Sequence, residues 1–500
     1  MTAEQFKAGN IDPPLLSRAR DYAGQEALKA TFQDKNAVSD LVSRIGKYDG
    51  ENPAAKAAST LVEGMLPFRR TPANILVRGV EYSPVGLAKS LTADLVQVKK
   101  GTMTAAQAID NVAAGLTGSA LFGLGAYLLS LGIVAPGRDE DEKQAGMDDL
   151  TGKQSYALNL PGGYSMTLDW LAPEAIPFFM GVELADSIEK HGWTGTGILS
   201  AMVAAAEPML EMSMLQSLND MLDSVSYADN KLWAAVSSAL TSYVTQGVPT
   251  ILGQLERTAE GKRMTTYTDK TLPLLSTDAQ YAIGRASARI PQFEYQQIPY
   301  IDAWGREEEA EPLPVRAFNN FINPAYLSKD GETAVDKEVQ RLYRATGDGA
   351  VMPARAPKYF SVGGERVDLS KEQYVTYAKE RGQTAYRVIE SLTMSEAYKA
   401  LADADKAAAV DVAYDYANAL AKTKVSGYEP DGWIRKAMDS GIDPAVYILY
   451  RVKADGDGNG SVTQEEAKGA IVMLPIANSQ KAKLWQSQNS KWKAENNPFK

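Results

Sequence analysis

The chain has 500 residues, no cysteine, one histidine and a formal net charge of -10. Without cysteine there are no disulfides, thiolate zinc sites, Cys-ligated iron–sulfur clusters or thiol catalysis, and one histidine excludes a multi-histidine metal site. The acidic balance argues against a general affinity for nucleic-acid phosphates, and no zinc-finger or RNA-binding signature is present.

Residues 1–60 read as a polar helical arm, punctuated by Pro13-Pro14 and by Gly50 to Pro53. Its Val38, Leu41, Val42 and Ile45 recur at helical spacing. From Met65 the chain turns apolar. Residues 61–260 form one apolar helical region in which Pro67, Pro72 and Pro84 divide short helices. Thr71-Pro72 and Ser83-Pro84 are N-cap and N1 pairs. Arg69, Arg70 and Arg78 flank apolar residues, as a solvated face or as contacts to anionic head groups.

The stretch from Val112 to Pro136 carries no charged residue and is rich in Gly, Ala, Ser and Thr. Lys99 and Lys100 precede it, and the charged run Arg138 to Lys143 closes it. Its length suits a membrane-spanning helix, and its small residues suit close helix contacts in lipid. The alternative is a buried helix or helical hairpin, since its glycines weaken a soluble helix. Next, Tyr156, Leu158 and Leu160 alternate, Pro161-Gly162-Gly163 turns, and Tyr164, Met166 and Leu168 alternate back, which predicts a β-hairpin. His191 before Gly192 reads as a helix end. Helices are expected from Ile198 to Met214, with Glu207 and Glu211 one turn apart, and from Leu232 to Leu255, a second charge-free run with Pro249 inside it.

Residues 261–330 read as an irregular linker region. Its acidic run REEEAE at 306–311, followed by Pro312 and Pro314, marks a domain boundary. Residues 331–430 read as a polar helical domain. Val335, Val339, Leu342 and Tyr343 form one stripe, and a second small hairpin is expected around Gly363-Gly364. Ser370 and Gln373 make a capping box before a helix with Tyr374, Tyr377, Ala378, Ala385, Ile389 and Leu392. Thr393 and Glu396 make a second box, and Val410, Ala413, Ala417 and Leu420 continue the pattern.

Residues 431–500 hold the most specific motif, an EF-hand-like module with a C-terminal tail. Residues 455–466 read DGDGNGSVTQEE. A calcium loop needs oxygen ligands at alternate positions, glycine at the sharp turn and a closing bidentate carboxylate. Asp455, Asp457 and Asn459 fit the first ligand positions, and Gly460 fits the turn. Ser461 offers its carbonyl, Thr463 acts directly or through water, and Glu466 closes the loop, with Val462 apolar between them. Helices are expected on both sides, from Asp443 to Ala454 and from Thr463 to Met473. A lone loop of this kind reads as a structural calcium clip rather than a groove-opening switch. The fold class expected is mainly α, multi-helical, with two small β-hairpins and this C-terminal calcium loop.

Several stretches occur together in order: PFRRTPANILVRGVEYSPVGL at 67–87, the apolar Gly-rich run, DWLAPEAIPFFMG at 169–181, EPMLEMSMLQSLND at 207–220 and LWQSQNSKWKAENNPF at 484–499. Together they resemble the all-helical region of bacteriophage large polyvalent proteins. The resemblance implies a virion protein delivered with the genome. Its partners would be portal or tail proteins, further copies of the chain and, after ejection, the host envelope. No catalytic role comes with those motifs, and the chain shows neither a P-loop nor a G-x-S-x-G elbow. Two functions follow as expectations. One is an internal protein ejected with the DNA that helps it cross the host envelope. The other is a non-ejected structural protein whose apolar helices form a core or an oligomer interface. An enzyme acting through paired carboxylates has the least support, since no such pair is recognisable.

Overall fold

The structure is a computed structural model. It describes Arg20, Ala23, residues 78–139, 141–171, 174–192, 258–259, 262–269, 280–281, 283–284, 295–308, 312–321, 325–454, 462–488 and 497–499. The expectations for the N-terminal arm, for Arg69 and Arg70, for Glu207 and Glu211, and for the helices Ile198–Met214 and Leu232–Leu255 lie outside these residues. The fold is mainly α with small antiparallel strand pairs. It divides into two compact units.

The first unit draws its described residues from 78–138, 155–192 and 325–327. Helix α1 (Pro84–Lys89) opens on Ser83, whose Oγ accepts from the Gly86 N–H, with Pro84 at the first helical position. A π turn (Ser90–Asp94) joins it to α2 (Leu95–Lys99). Helix α3 (Ala105–Ser130) starts on a capping box between Thr104 and Gln107, and Gly132 turns the chain at φ +67°. The charge-free run is therefore one helix, and it sits about two turns nearer the N-terminus than the run itself. The cap at Thr104 sets the start and admits Asp110. Residues beyond Gly132 run back as extended chain, where Val134 pairs with Leu158.

Helix α4 (Glu142–Thr151), capped by Asp141, belongs to the second unit. Back in the first unit, β1 (Ala157–Leu160) and β2 (Tyr164–Thr167) form the expected hairpin, with Gly162 and Gly163 at positive φ in the turn. Tyr156, Leu158 and Leu168 of the alternating set pack into the core, but on β2 the buried side chains are not the alternating apolar ones. Ser165 and Thr167 are buried and Tyr164 is exposed. Burial of Thr167 is satisfied by Tyr326, whose carbonyl accepts the Thr167 N–H at 3.0 Å and whose N–H donates to Thr167 Oγ1 at 3.0 Å. Helix α5 (Ile176–His191) follows and ends at Gly192, as read from the sequence. Phe178, Phe179, Met180 and Val182 of α5 make the core of this unit with Val134 and Tyr156.

The second unit contains strands β3 (Met264–Thr266) and β4 (Gln297–Pro299), an antiparallel pair inside the stretch expected to be irregular. Helix α6 (Leu313–Phe321) follows. Trp304 and Ile301 just after β4 are buried, so this part of the chain is core rather than solvated linker. The described end of the acidic run is also held down: Glu307 pairs with both Lys262 and Lys379, which keep its carboxyl below the usual range. Helix α7 (Ala334–Thr346) buries Val335, Val339 and Leu342, the expected stripe. Strands β5 (Tyr359–Val362) and β6 (Glu365–Asp368) form the second expected hairpin, turning at Gly363-Gly364.

Helix α8 (Lys371–Met394) opens on the Ser370–Gln373 capping box and packs against α9 (Asp403–Ser426). The second box does not form. Thr393 lies in the last turn of α8, and its hydroxyl donates back to the Glu390 carbonyl at 2.8 Å. Helices α10 (Gly432–Ser440), α11 (Pro444–Ala454), α12 (Gln464–Met473) and α13 (Asn478–Gln488) complete the unit. Their buried Tyr447, Ile448, Ile471, Leu484 and Trp485 join the core around Trp304, Leu342 and Ile389.

One buried polar contact fixes the centre of this unit. Asp336 Oδ2 accepts from the Thr333 N–H and hydroxyl at the start of α7, and Oδ1 accepts from Trp304 Nε1 at 2.8 Å. Trp304→Phe keeps an aromatic side chain but removes the indole N–H, leaving that buried Oδ1 without its donor. Chemical denaturation of the variant should show a loss of about 2 kcal/mol.

Candidate functional site

Helix α3 is built the wrong way round for the surface of a soluble protein. Such a helix normally turns its large apolar residues to the core and polar ones to water. Here the buried residues are small: Ala108, Gly115, Gly118 and Gly125. The exposed ones include Ile109, Leu116, Leu124 and Tyr127, with Tyr127 60% exposed and Ile109 68%. The helix has 26 residues and is long and apolar enough to cross a membrane, yet only 17% of its most apolar window is buried. At 1.5 Å per residue it extends about 39 Å, more than the roughly 30 Å of a hydrocarbon core.

The glycines explain the inversion. A Cβ on Gly125 would lie 2.2 Å from the Phe178 carbonyl oxygen of α5, and one on Gly181 would lie 2.0 Å from the Phe122 carbonyl oxygen of α3. The two helices therefore touch backbone to backbone. Gly118 makes the same approach to Tyr82, its missing Cβ 2.2 Å from that carbonyl oxygen. Leu121, Phe122, Leu128 and Leu129 fill in at the side, partly buried against the α5 core. With its inner face occupied by main chain, α3 has no room there for its remaining large residues. They face outward with Val85, Leu91, Leu95 and Val96 of the preceding segment also exposed.

Two polar contacts hold this assembly. Asp94 of the π turn is buried and accepts from Asn111 Nδ2 of α3 at 2.8 Å. Glu183 of α5 is buried and accepts the Gly137 N–H at 2.7 Å. The sequence reading missed the roles of Asn111, Glu183 and Gly181. A signal for the inner face was present, because Ala108 and Gly115 are seven residues apart, as are Gly118 and Gly125, the spacing of one helix seam.

The second candidate site is the calcium loop. The structure places helices on both sides where the motif requires them, α11 ending at Ala454 and α12 beginning at Gln464. Asp455, Asp457, Asn459 and Ser461 lie outside the described residues. Thr463 and Glu466 are brought together. Thr463 is the N-cap of α12, its Oγ1 accepting the Glu466 N–H at 3.3 Å. Glu466 Oε2 accepts both the N–H and the hydroxyl of Thr463, each at 2.8 Å. Val462 packs against the main core, which anchors the exit of the loop. The expected donors are all oxygen, as calcium requires, and the cap ties the Glu466 carboxylate to Thr463. Among the described residues no group of three or more His, Asp or Glu side chains could hold a metal.

The backbone contact of α3 with α5 gives a paired test. Gly125→Ala forces the helices apart and should cost about 2 kcal/mol in urea denaturation. Gly123→Ala adds a Cβ that meets nothing. It should leave stability unchanged or raise it by about 0.5–1 kcal/mol through helix propensity.

No protein-family model matches the chain, and comparison with curated proteins and with solved structures gives no match.

Proposed function

We propose that the chain is a phage internal virion protein, ejected with the genome to help it cross the host envelope. One observation carries this reading: α3 turns large apolar side chains outward and small ones inward. That arrangement suits lipid, where helices associate through small residues and large apolar ones face the acyl chains. The sequence resemblance to phage polyvalent proteins supplies the location. A mean hydropathy of -0.26 is low for a constitutive multi-span protein, which fits a chain that is packaged in soluble form and inserts later.

A second reading has its own observation. Ile109, Ala113, Leu116, Ala120 and Tyr127 recur on the exposed face of α3 at intervals of four, three, four and seven residues. That is the spacing of a coiled-coil seam, so the face also suits an oligomer interface in a protein retained at the portal or tail. Mass spectrometry of virions before and after triggered genome release separates the two. Loss of the protein from emptied particles is the expected result, followed by flotation of the purified chain with vesicles. Retention in the particle favours the structural role.

We further propose that Asp455, Asp457, Asn459, Ser461, Thr463 and Glu466 hold Ca2+ as a structural clip. Calcium bound there supplies a charge that draws the loop ligands together. The flanking helices α11 and α12 and the Thr463–Glu466 cap support this reading. Calorimetry should show a calcium heat, and EDTA should lower the melting temperature of the second unit by linkage. An unchanged melt and no heat would discard the site.

A further inference from the structure

The second unit brings two arginines together without a carboxylate partner. Arg355 is exposed, and its guanidinium lies 4.5 Å from the centroid of the Tyr300 ring. Arg263 stands 4.3 Å from the same ring, and Glu308 meets its charge at 3.0 Å. Arg381 of α8 donates from Nη1 to the carbonyl of Ala354 at 2.7 Å, next to Arg355. Both Arg355 and Arg381 act on one buried hydroxyl, that of Tyr374: burial pushes its ionisation up, and the two positive charges pull against it. Neither forms an ion pair among the described residues. Arg306, Arg341 and Arg366 of this unit each meet an aspartate or glutamate, while Arg344 and Arg387 bond to neutral groups of their own helices.

Like charges placed together repel unless an anion joins them. A guanidinium held against an aromatic ring keeps its planar N–H fork available at the edge, which matches the oxygens of a phosphate. Lys358 adds a further cation close in sequence, its Nζ donating to Thr268 Oγ1 at 3.1 Å and standing 5.0 Å from the Tyr267 ring.

We propose that Arg355 and Arg381, with Arg263 and Lys358 beside them, form a phosphate-binding patch that takes the DNA backbone without reading its sequence. The chain's net charge of -10 argues against general phosphate affinity and leaves room for a local one. DNA fits better than a lipid surface. A bilayer-docking patch needs apolar side chains to enter the acyl region. From Arg355 to Arg381 the exposed large apolar residue is Tyr359, and Arg366 covers its ring at 3.7 Å. The patch extends the function beyond the reading proposed above and does not depend on it.

The test uses the full chain and a fluorescent DNA duplex of random sequence, followed by anisotropy at about 50 mM salt, where backbone contacts are strongest. The wild type should bind, and the affinity should fall steeply as salt rises. Arg355→Gln with Arg381→Gln should weaken binding roughly tenfold and reduce the salt slope by about two. Arg435→Gln removes an exposed arginine paired with Asp439 elsewhere in the unit and should leave binding unchanged. Arg355 is exposed, so Arg355→Gln alone keeps the test valid if the double variant fails to fold. Its expected signature is a weaker, shallower salt curve with an unchanged melt. No binding by the wild type would overturn the proposal, as would equal binding by the arginine variants. Arginine-dependent binding to phosphatidylserine vesicles with none to DNA would assign the patch to lipid instead.

Discussion

The first unit depends on the crossing of α3 and α5 at Gly125 and Gly181, where two backbones meet with no side chain between them. Everything else about α3 follows from that contact. Main chain fills the space where large side chains would otherwise interlock, so Ile109, Leu116, Leu124 and Tyr127 have nowhere to go but outward. Burial of apolar surface, the main driving force of folding in water, is correspondingly small along this helix. Phe178, Phe179 and Val182 on α5 supply much of the unit's apolar core, and Asn111 to Asp94 and Gly137 to Glu183 add polar ties.

The second unit uses glycine to a different end. A Cβ on Gly382 would lie 2.1 Å from the Gly305 nitrogen, so the loop after β4 rests directly on α8. That approach lowers Trp304 into the core, where it meets Tyr386 edge to face and stacks with Tyr414 at a centroid distance of 6.2 Å. Its indole N–H finds Asp336, whose carboxylate already closes the cap of α7. A buried carboxylate is tolerable only when its oxygens are met, and here three donors meet them. Large aromatic residues therefore lie inside this unit, whereas on α3 the large residues lie outside.

Features set by neighbours in sequence were legible. Pro161-Gly162-Gly163 and Gly363-Gly364 marked both hairpins, Ser370 and Gln373 marked a helix start, and Val335, Val339 and Leu342 marked a core stripe. The helices on either side of residues 455–463 were equally readable from loop spacing and apolar periodicity. Features set by distant contacts were not. Strands β3 and β4 pair across 30 residues of chain, and neither carries an alternating pattern long enough to register. Thr167 turns inward because Tyr326, far along the chain, offers it partners. Thr393 had the right residue type for a cap, but α8 ran through it and used its hydroxyl internally. The same limit applies to Arg355 and Arg381, which are 26 residues apart and converge only when the loop before β5 packs against α8.

The two requirements placed on α3 by the proposed function are opposed, and its packing answers both. To stay with the first unit it must hold its neighbours; to enter a bilayer it must give them up without a large loss. A helix locked by interdigitated leucines would lose much apolar burial on leaving. One held by backbone contact at glycines, with Leu121, Phe122, Leu128 and Leu129 only partly buried against α5, loses less burial, and its small residues can regain dispersion against another helix in lipid. Its outward residues gain on the same move, since Leu116, Leu124 and Tyr127 already stand exposed and would pass into hydrocarbon. The polar ties set the resistance to it. Asp94 is buried against Asn111 near the start of α3, so separation there exposes a carboxylate to water, which is favourable, while carrying it into the bilayer is not. Under the proposed insertion, the part of α3 that moves would begin near Val112, with Asp94 and the N-terminal turns left at the interface.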